Sequence, residues 1–510
     1  MTDPRADADR RLALGAMVMA ALLAHAGCTP ARPNGGVPLR PTTRADAAPL
    51  AVAPASPLPP VASRIVVVTP DAPVAVGADT LPVLEPHLAL HPRDPAHLLA
   101  GAAVIDRPDL VDGDVPAGVS RSHCVSLVSR DGGRRWAAHA FPVPDCLDPW
   151  VAVHPDGSAL FAMISTRGSR LLVYRSPDGG RTWGATPADF GRGHDHATLA
   201  VDTTGGPRHG SVYVVSRQDV RRADGLTRSH AYVARSGDGG RTWDTTRVVP
   251  FSLAMNTMSA AVLSAGVLVV PLSTFGAPLG DVDWFITSAD GGRTFSEPVV
   301  ARRGCAKSFP HLTVDGSRGP YRDRLYYVCN DSAYARVLVF RSEDGTQRWA
   351  PAVAANASAT PSATPSADAS GGAPAPAGAV PVPYVRTAVA AVNADGVLGV
   401  SWYDARHDPD TSRGRARCQE LFLAASLDGG RTFLPDLPVS TGRNCPAQPR
   451  NGQAGTRWRA GGDYHGLVAA PDGRFHLLWA DSRSGVYQLR FASVRVEGAG
   501  ARPPAAPAPL

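Results

Sequence analysis

The sequence predicts an all-β fold: a β-propeller of seven four-stranded blades, with six as the alternative, closed by a strand from the N-terminal side. Three observations carry this. One eight-residue pattern recurs six times: Ser129–Trp136 (SRDGGRRW), Ser176–Trp183 (SPDGGRTW), Ser236–Trp243 (SGDGGRTW), Ser288–Phe295 (SADGGRTF), Ser342–Trp349 (SEDGTQRW) and Ser426–Phe433 (SLDGGRTF). The serines lie 47, 60, 52, 54 and 84 residues apart, and the last gap falls to 50 once a 34-residue insert is set aside, so one repeat has the length of one blade. An apolar strand runs into each turn, as in Arg170–Arg175 (RLLVYR) and Ala335–Phe340 (ARVLVF). In addition, 51 Gly and 48 Pro among 510 residues supply many turns, and long amphipathic helical runs are absent.

In chain order, Arg10 and Arg11 precede an apolar run from Leu12 to Ala24, too short for a stable membrane span but suited to a secretory signal. Two processing readings stand. Ala24-His25-Ala26 fits an A-x-A cleavage site, and Ala26-Gly27-Cys28 resembles the end of a bacterial lipobox, with His25 where an aliphatic residue is usual. Cysteine usage favours the second: beside Cys28 there are six, in neighbour pairs Cys124/Cys146, Cys305/Cys329 and Cys418/Cys445. An even set in an exported chain suggests disulfides, and neighbour pairing is the simplest connectivity. Cys28 is left over, as a lipid-bearing residue would be. The expected boundaries are a signal over 1–28, a Pro/Ala-rich tether over 29–63, a propeller over 64–496 carrying a low-complexity insert at 351–384, and a tail over 497–510.

Within the propeller, Asp-Gly-Gly offers residues that tolerate positive φ, and the Ser and Asp side chains can bond the turn's amides. The closing Trp or Phe starts the next strand and packs between sheets. A second element precedes each turn: His87–His91 (HLALH), Trp150–His154 (WVAVH), Thr198–Asp202 (TLAVD), His311–Asp315 (HLTVD) and Ala388–Val392 (AVAAV), with diverged copies at Ser259–Leu263 and His465–Ala469. That makes seven blade starts for six turns. The last module ends in Val486–Val494 (VYQLRFASV) with no further strand, and Arg64–Thr69 (RIVVVT) is placed to supply it and remove an exposed sheet edge.

These six turns resemble the Asp-boxes (BNR repeats) of sialidases and other Asp-box β-propellers. The resemblance is specific for fold and less so for function, because such propellers include hydrolases, lyases, receptors and assembly factors. It implies a ligand site where the innermost strands begin. Polar residues gather there: Asp148, His194-Asp195-His196, Asn256, His311, Arg386 and Asp463-Tyr464-His465, joined by Arg217, Asn330-Asp331, Tyr403-Asp404-Ala-Arg406 and Asp481-Ser-Arg483 at the ends of second strands. A family sialidase clamps the substrate carboxylate with three arginines and uses a tyrosine nucleophile with an aspartate acid/base. By that resemblance Arg386, Arg406 and Arg483 are the clamp, Tyr464 the nucleophile and Asp148 or Asp404 the acid, with His196, His311 and Asp463 as further substrate contacts. Two departures stand out. Leu84-Glu85-Pro86 replaces the family's first-blade Arg-Ile-Pro, and no glutamate partner for Tyr464 is legible, Glu420 lying near a turn and facing outward.

The expected role is therefore a cell-envelope protein that binds or hydrolyses glycans, lipid-anchored or else secreted in soluble form. The alternative is a non-catalytic scaffold that binds glycan or protein. Apart from the lipid anchor no membrane contact is expected, since no run of 18 apolar residues occurs. Nor is nucleic acid expected: the net charge is +6, but 50 of 51 basic residues are arginines scattered among aspartates, Lys307 being the single lysine. His194 and His196 fall on one face of a strand, a spacing zinc could use with His311 or His465. Neither a metal nor a cofactor is expected all the same, since Asp-Gly turns of this kind form without an ion.

Overall fold

The computed structural model describes residues 63–77, 79–108, 120–221, 223–250, 255–274, 282–303, 305, 309–356, 384–408, 410, 418–445 and 461–498. The expected signal, Cys28 and the tether up to residue 62 lie outside the described residues, as do most of the insert (357–383) and the tail from 499.

The described chain is all-β. A leading strand, β1 (Arg64–Val74), is followed by seven sheets in chain order. Blade one is β2 (Val83–His91), β3 (Asp94–Ile105), β4 (Ser122–Ser129) and β5 (Ala137–Ala140); blade two is β6 (Cys146–Val153), β7 (Ala159–Ser165), β8 (Arg170–Ser176) and β9 (Ala188–Asp189). Blade three holds β10 (His194–Val201), β11 (Val212–Arg221), β12 (Thr227–Ser236) and β13 (Asp244–Pro250). In blade four, β14 (Met255–Thr257) and β15 (Ala261–Val262) are two halves of one broken inner strand, both paired with β16 (Leu268–Thr274), and β17 (Val282–Ser288) and β18 (Val299–Arg303) follow. Blade five is β19 (His311–Val314), β20 (Leu325–Asn330), β21 (Val337–Ser342) and β22 (Val353–Ala354); blade six is β23 (Val385–Val392), β24 (Leu398–Asp404), β25 (Glu420–Ser426) and β26 (Leu437–Pro438). Blade seven is β27 (Gly466–Ala469), β28 (Phe475–Asp481) and β29 (Gln488–Glu497), with β1 as its outermost strand.

The N-terminal closure is thus observed: β1 runs antiparallel to β29 from Arg64 opposite Glu497 to Val74 opposite Leu489. Buried Asp71 fastens it, receiving Arg490 at 3.0 Å and Arg483 at 2.9 Å. Strand β22 falls inside the segment 351–384 expected to be insert, because a short fourth strand of Val and Ala is not distinguishable from low-complexity sequence.

The core is divided among the blade interfaces. Apolar clusters lie between each neighbouring pair, and the cluster joining blades seven and one contains Leu478, Leu489 and Phe491 with Leu88, Leu98 and Leu127. A sheet buried on both faces needs apolar residues in succession, which is why Ala159–Ser165 is buried at every position. The inner strands converge on a channel lined by small side chains such as Ala89, Ala152, Ala391 and Ala469. Gly466 belongs there for the same reason: a Cβ would stand 2.5 Å from Leu88 Cβ.

The six turns form as the sequence indicated. In blade two, Ser176 Oγ accepts the Gly180 amide at 2.7 Å, and Asp178 Oδ1 accepts the Arg181 and Thr182 amides at 3.1 and 2.9 Å. The turns also join blades, since His97 donates to Gly179 O at 2.8 Å and Arg175 to Gly239 O at 2.9 Å, each from the preceding blade. The disulfides pair as expected: Cys124–Cys146 bridges blades one and two, Cys305–Cys329 bridges four and five, and Cys418–Cys445 closes a loop at the edge of blade six.

Candidate functional site

Inner strands have only one hydrogen-bonded neighbour, so their other edge must find partners in the adjacent blade. Side chains at the level just inside the mouth supply them. His87 Nδ1 accepts the Val151 amide at 3.2 Å, Ser259 Oγ accepts the Leu312 amide at 2.9 Å, and His311 Nδ1 accepts the Ala390 amide at 3.4 Å. His311, expected as a substrate contact, thus also stitches two blades, and burial holds it near pKa 4 and therefore neutral.

One step further out the inner strands bulge. Register shifts fall between Leu84 and His87, Leu147 and Trp150, Asp195 and Thr198, and Arg386 and Val389. Each holds a non-glycine residue with positive φ: Glu85 (53°), Asp148 (53°), His196 (51°) and Thr387 (54°). L-residues avoid this conformation at a cost of about 1–3 kcal/mol, and bulges that keep it re-aim a side chain. Here four blades repeat the device at one level of the channel.

The cavity at this level is lined by Asp148, Trp150, His196, Thr257, Phe309, His311, Thr387, Asp463 and Tyr464, among others. Five expected site residues therefore share it: Asp148, His196, His311, Asp463 and Tyr464. The Tyr464 ring meets Trp150 edge to face with centroids 5.5 Å apart, and His87 stacks on Trp150 at 3.8 Å. His196 lies 4.2 Å from the Phe309 ring. Burial, reinforced by Asp195 and Asp463 and opposed by His196, raises Asp148 to about pKa 6. Burial and then the charges of Glu85, Asp148, Asp463 and Asp195 push the Tyr464 phenol well above its ordinary range. Tyr464 is thus a neutral hydroxyl, in weak contact with Pro149 O at 3.5 Å.

The glutamate near Tyr464 is Glu85, a residue the sequence reading passed over as a lost arginine position. It is buried, accepts the Asp148 amide at 3.1 Å, and leads the charged groups acting on Tyr464. Its one available signal was its place in the bulge, in register with Asp148 and His196.

The expected arginine clamp does not assemble in this cavity. Arg406 is held by Asp404 at 2.5 Å and Asp436 at 2.7 Å, and Arg483 by Asp481 at 2.7 Å and Asp71 at 2.9 Å. Trp402 and Trp479 donate their indole N–H groups to the same aspartates, Asp404 and Asp481, so Trp-x-Asp-x-Arg is a brace at the end of the second strand. Asp404 is fully buried in that brace and is not among the residues lining the cavity. Arg386 pairs in register with Tyr403 beside the Thr387 bulge and is not among the residues lining the cavity.

Asp148, Asp195 and His196 bring donor atoms within 4.8 Å of one another, a set that could hold a cation. A guanidinium already stands there: Arg217 lies 2.5 Å from Asp195 and donates to Asn256 Oδ1 at 2.8 Å. His194 bonds Ser216 at 2.8 Å and is not part of this set.

No protein-family model matches this chain, and no curated protein matches it. Among solved structures, it is similar to a protein of unknown function from Dyadobacter fermentans, at 12% identity and TM-score 0.45 over 85% of this chain and 99% of that one. It is also similar to the Hadza microbial sialidase Hz136, at 14% identity and TM-score 0.42 over 83% and 94%. The Trypanosoma rangeli sialidase in complex with 2,3-difluorosialic acid gives 15% identity and TM-score 0.39 over 86% of this chain and 59% of that one. The fold assignment rests on this chain's own strand pairing.

Proposed function

We propose that this propeller binds or hydrolyses glycans at the mouth of its channel, in the manner of the sialidase-like hydrolases that its turns resemble. The observation that carries the reading is that Tyr464 and Asp148 line one cavity, with Glu85 bonded to the Asp148 amide and first among the charged groups acting on Tyr464. In the hydrolytic form, Tyr464 Oη attacks the anomeric carbon while its proton passes to Glu85. Asp148 gives its proton to the departing glycosidic oxygen, then takes one from the water that cleaves the glycosyl–tyrosine bond, while Glu85 returns its proton to the departing Tyr464 oxygen. A neutral phenol needs such a base, and a carboxyl raised to about 6 keeps a proton to give in mildly acidic solution.

Turnover of a panel of fluorogenic glycosides by the full chain, sialoside included, tests this. Tyr464→Phe and Asp148→Asn should each lower kcat by about 10²–10⁴-fold. The wild-type rate should fall as pH rises through about 6, where Asp148 loses its proton. A rate that is unchanged in both variants would rule out this site. Absence of turnover with any glycoside would favour the second reading, a non-catalytic binding scaffold, which the engagement of Arg406 and Arg483 with aspartates also supports.

We also propose that the chain is exported and held at the cell envelope through lipid on Cys28. Cys28→Ser should release it from membranes into the soluble fraction; continued membrane retention would refute the anchor.

A further inference from the structure

Past the level of His87 and His311, the channel runs on to the face where the first and second strands of each blade are joined. The residues lining this stretch all lie among the described residues, from Pro92, Thr203 and Gly316 at those turns to Trp150 at the inner end. Its volume is about 510 Å³, the size of a small-molecule site. No lysine, arginine, aspartate or glutamate lines it, and the walls are largely aliphatic, Leu90, Val153, Leu199 and Val392 among them. Such walls favour an apolar body and offer a charged one nothing to offset its lost hydration.

The inner end is different. His87 and His311, from blades one and five, both line it. Each accepts a backbone amide at Nδ1, from Val151 and Ala390, which places the proton of the neutral ring on Nε2. Neither Nε2–H group has a hydrogen-bond partner among the described residues. Burial, and then the charge His311 would carry, keeps His87 well below the ordinary imidazole range, and burial takes His311 to about 4, so both rings are neutral donors. A ring used in this way has no second lone pair to give a metal ion. A carbonyl oxygen, with two lone pairs and no net charge, suits such a pair of donors. We infer that this stretch binds an uncharged acyl compound, an aliphatic chain ending in an ester or amide, with its carbonyl oxygen on the imidazoles and its chain along the aliphatic walls. Asp148 and Tyr464 line only the cavity nearer the mouth, so this site is independent of the glycan reading.

Calorimetric titration of the full chain with methyl octanoate, octanoate, octylammonium and methyl acetate tests this. Methyl octanoate should bind about tenfold more tightly than any of the others, because octanoate brings a charge, octylammonium has no acceptor and methyl acetate has no chain. A variant carrying both His87→Asn and His311→Asn keeps an oxygen near each Nδ1 position to accept the amide and loses both Nε2–H groups. It should weaken methyl octanoate about tenfold. Ala391→Leu, which narrows the channel away from the imidazoles, should weaken it as well, and decides the point if the histidine variant does not fold. Octanoate or octylammonium binding as tightly as the ester would overturn the uncharged acceptor, and methyl acetate binding as tightly would overturn the aliphatic chain. Failure of methyl octanoate to bind, or unchanged binding in the folded variants, would overturn the site. Glycoside turnover is read separately, so none of these results bears on the glycan reading.

Discussion

Thr346 shows how much one residue of a repeated turn contributes. At the second glycine of the other turns φ lies between 77° and 96°, and Thr346 occupies that place at φ 98° with its hydroxyl buried and unpartnered. Its amide reaches Ser342 Oγ at 3.2 Å, against 2.7–2.9 Å for the corresponding glycine amides. Thr346→Gly removes both backbone strain and an unsatisfied hydroxyl, at the cost of a looser unfolded chain. The net expectation is a gain of about 1 kcal/mol, read as a melting-temperature rise of about 1–2 °C; a lower melting temperature would mean that the packing of the Thr346 methyl outweighs the strain. The bulge residues Glu85, Asp148, His196 and Thr387 hold similar strain where no glycine is present, and there it aims side chains at the channel.

At the scale of the element, the turn is a joint between blades. Gly180 adopts φ 96°, and a Cβ on it would stand 2.7 Å from Leu99 Cδ1 in the preceding blade. Gly180→Ala should therefore cost about 2–4 kcal/mol from strain and overpacking together, visible as a lowered denaturation midpoint. If the loss were below about 1 kcal/mol, the turn would be a surface feature and not a joint. The strands and turns were legible because their determinants are local: Asp-Gly-Gly for the turn, a following Trp or Phe, apolar residues between. The closing strand was legible as well, since blade seven lacked a fourth strand and Arg64–Thr69 stood spare. The break in the inner strand of blade four was visible only as a diverged repeat, because the Met255–Thr257 bridge depends on the partner strand β16 and not on its own composition.

For the whole molecule, acid is the stress that should open the ring measurably, because histidines are buried between its blades. His97, His465 and His476 are at most 1% exposed, and burial depresses them to about 4, 3 and 4. In the unfolded chain they take up protons below about pH 6.5, which the fold resists, so stability is lost as pH falls from 6.5 towards 4. Asp148 acts in the opposite sense: being raised to about 6, it favours the fold at low pH and loses that contribution as pH rises from about 4 to 6. Three histidines outweigh one carboxyl at about 1.4 kcal/mol per pH unit each. Melting temperature should therefore drop steadily between pH 6.5 and 4.5, and His476→Gln should make the slope shallower. A flat profile would show that these imidazoles are hydrated in the folded ring.

The sequence alone determined whatever depends on neighbours in the chain: the turn chemistry, the length of one blade, and disulfides between cysteines a few strands apart. It left seven blades and six both open with Arg64–Thr69 as a spare strand, and the strand pairing decided for seven. It also marked the level at which polar residues meet. Tertiary structure decided which of those residues share the cavity. Arg406 and Arg483 read as a clamp until Asp436 and Asp71, from other strands, were seen to neutralise them. Glu85 read as a lost arginine until the ring brought it from blade one within electrostatic reach of Tyr464 before blade seven. The physical reason is that a hydrogen-bonded turn is specified by residues a few positions apart, whereas the charge of a cavity is a sum over groups that only closure of the ring assembles.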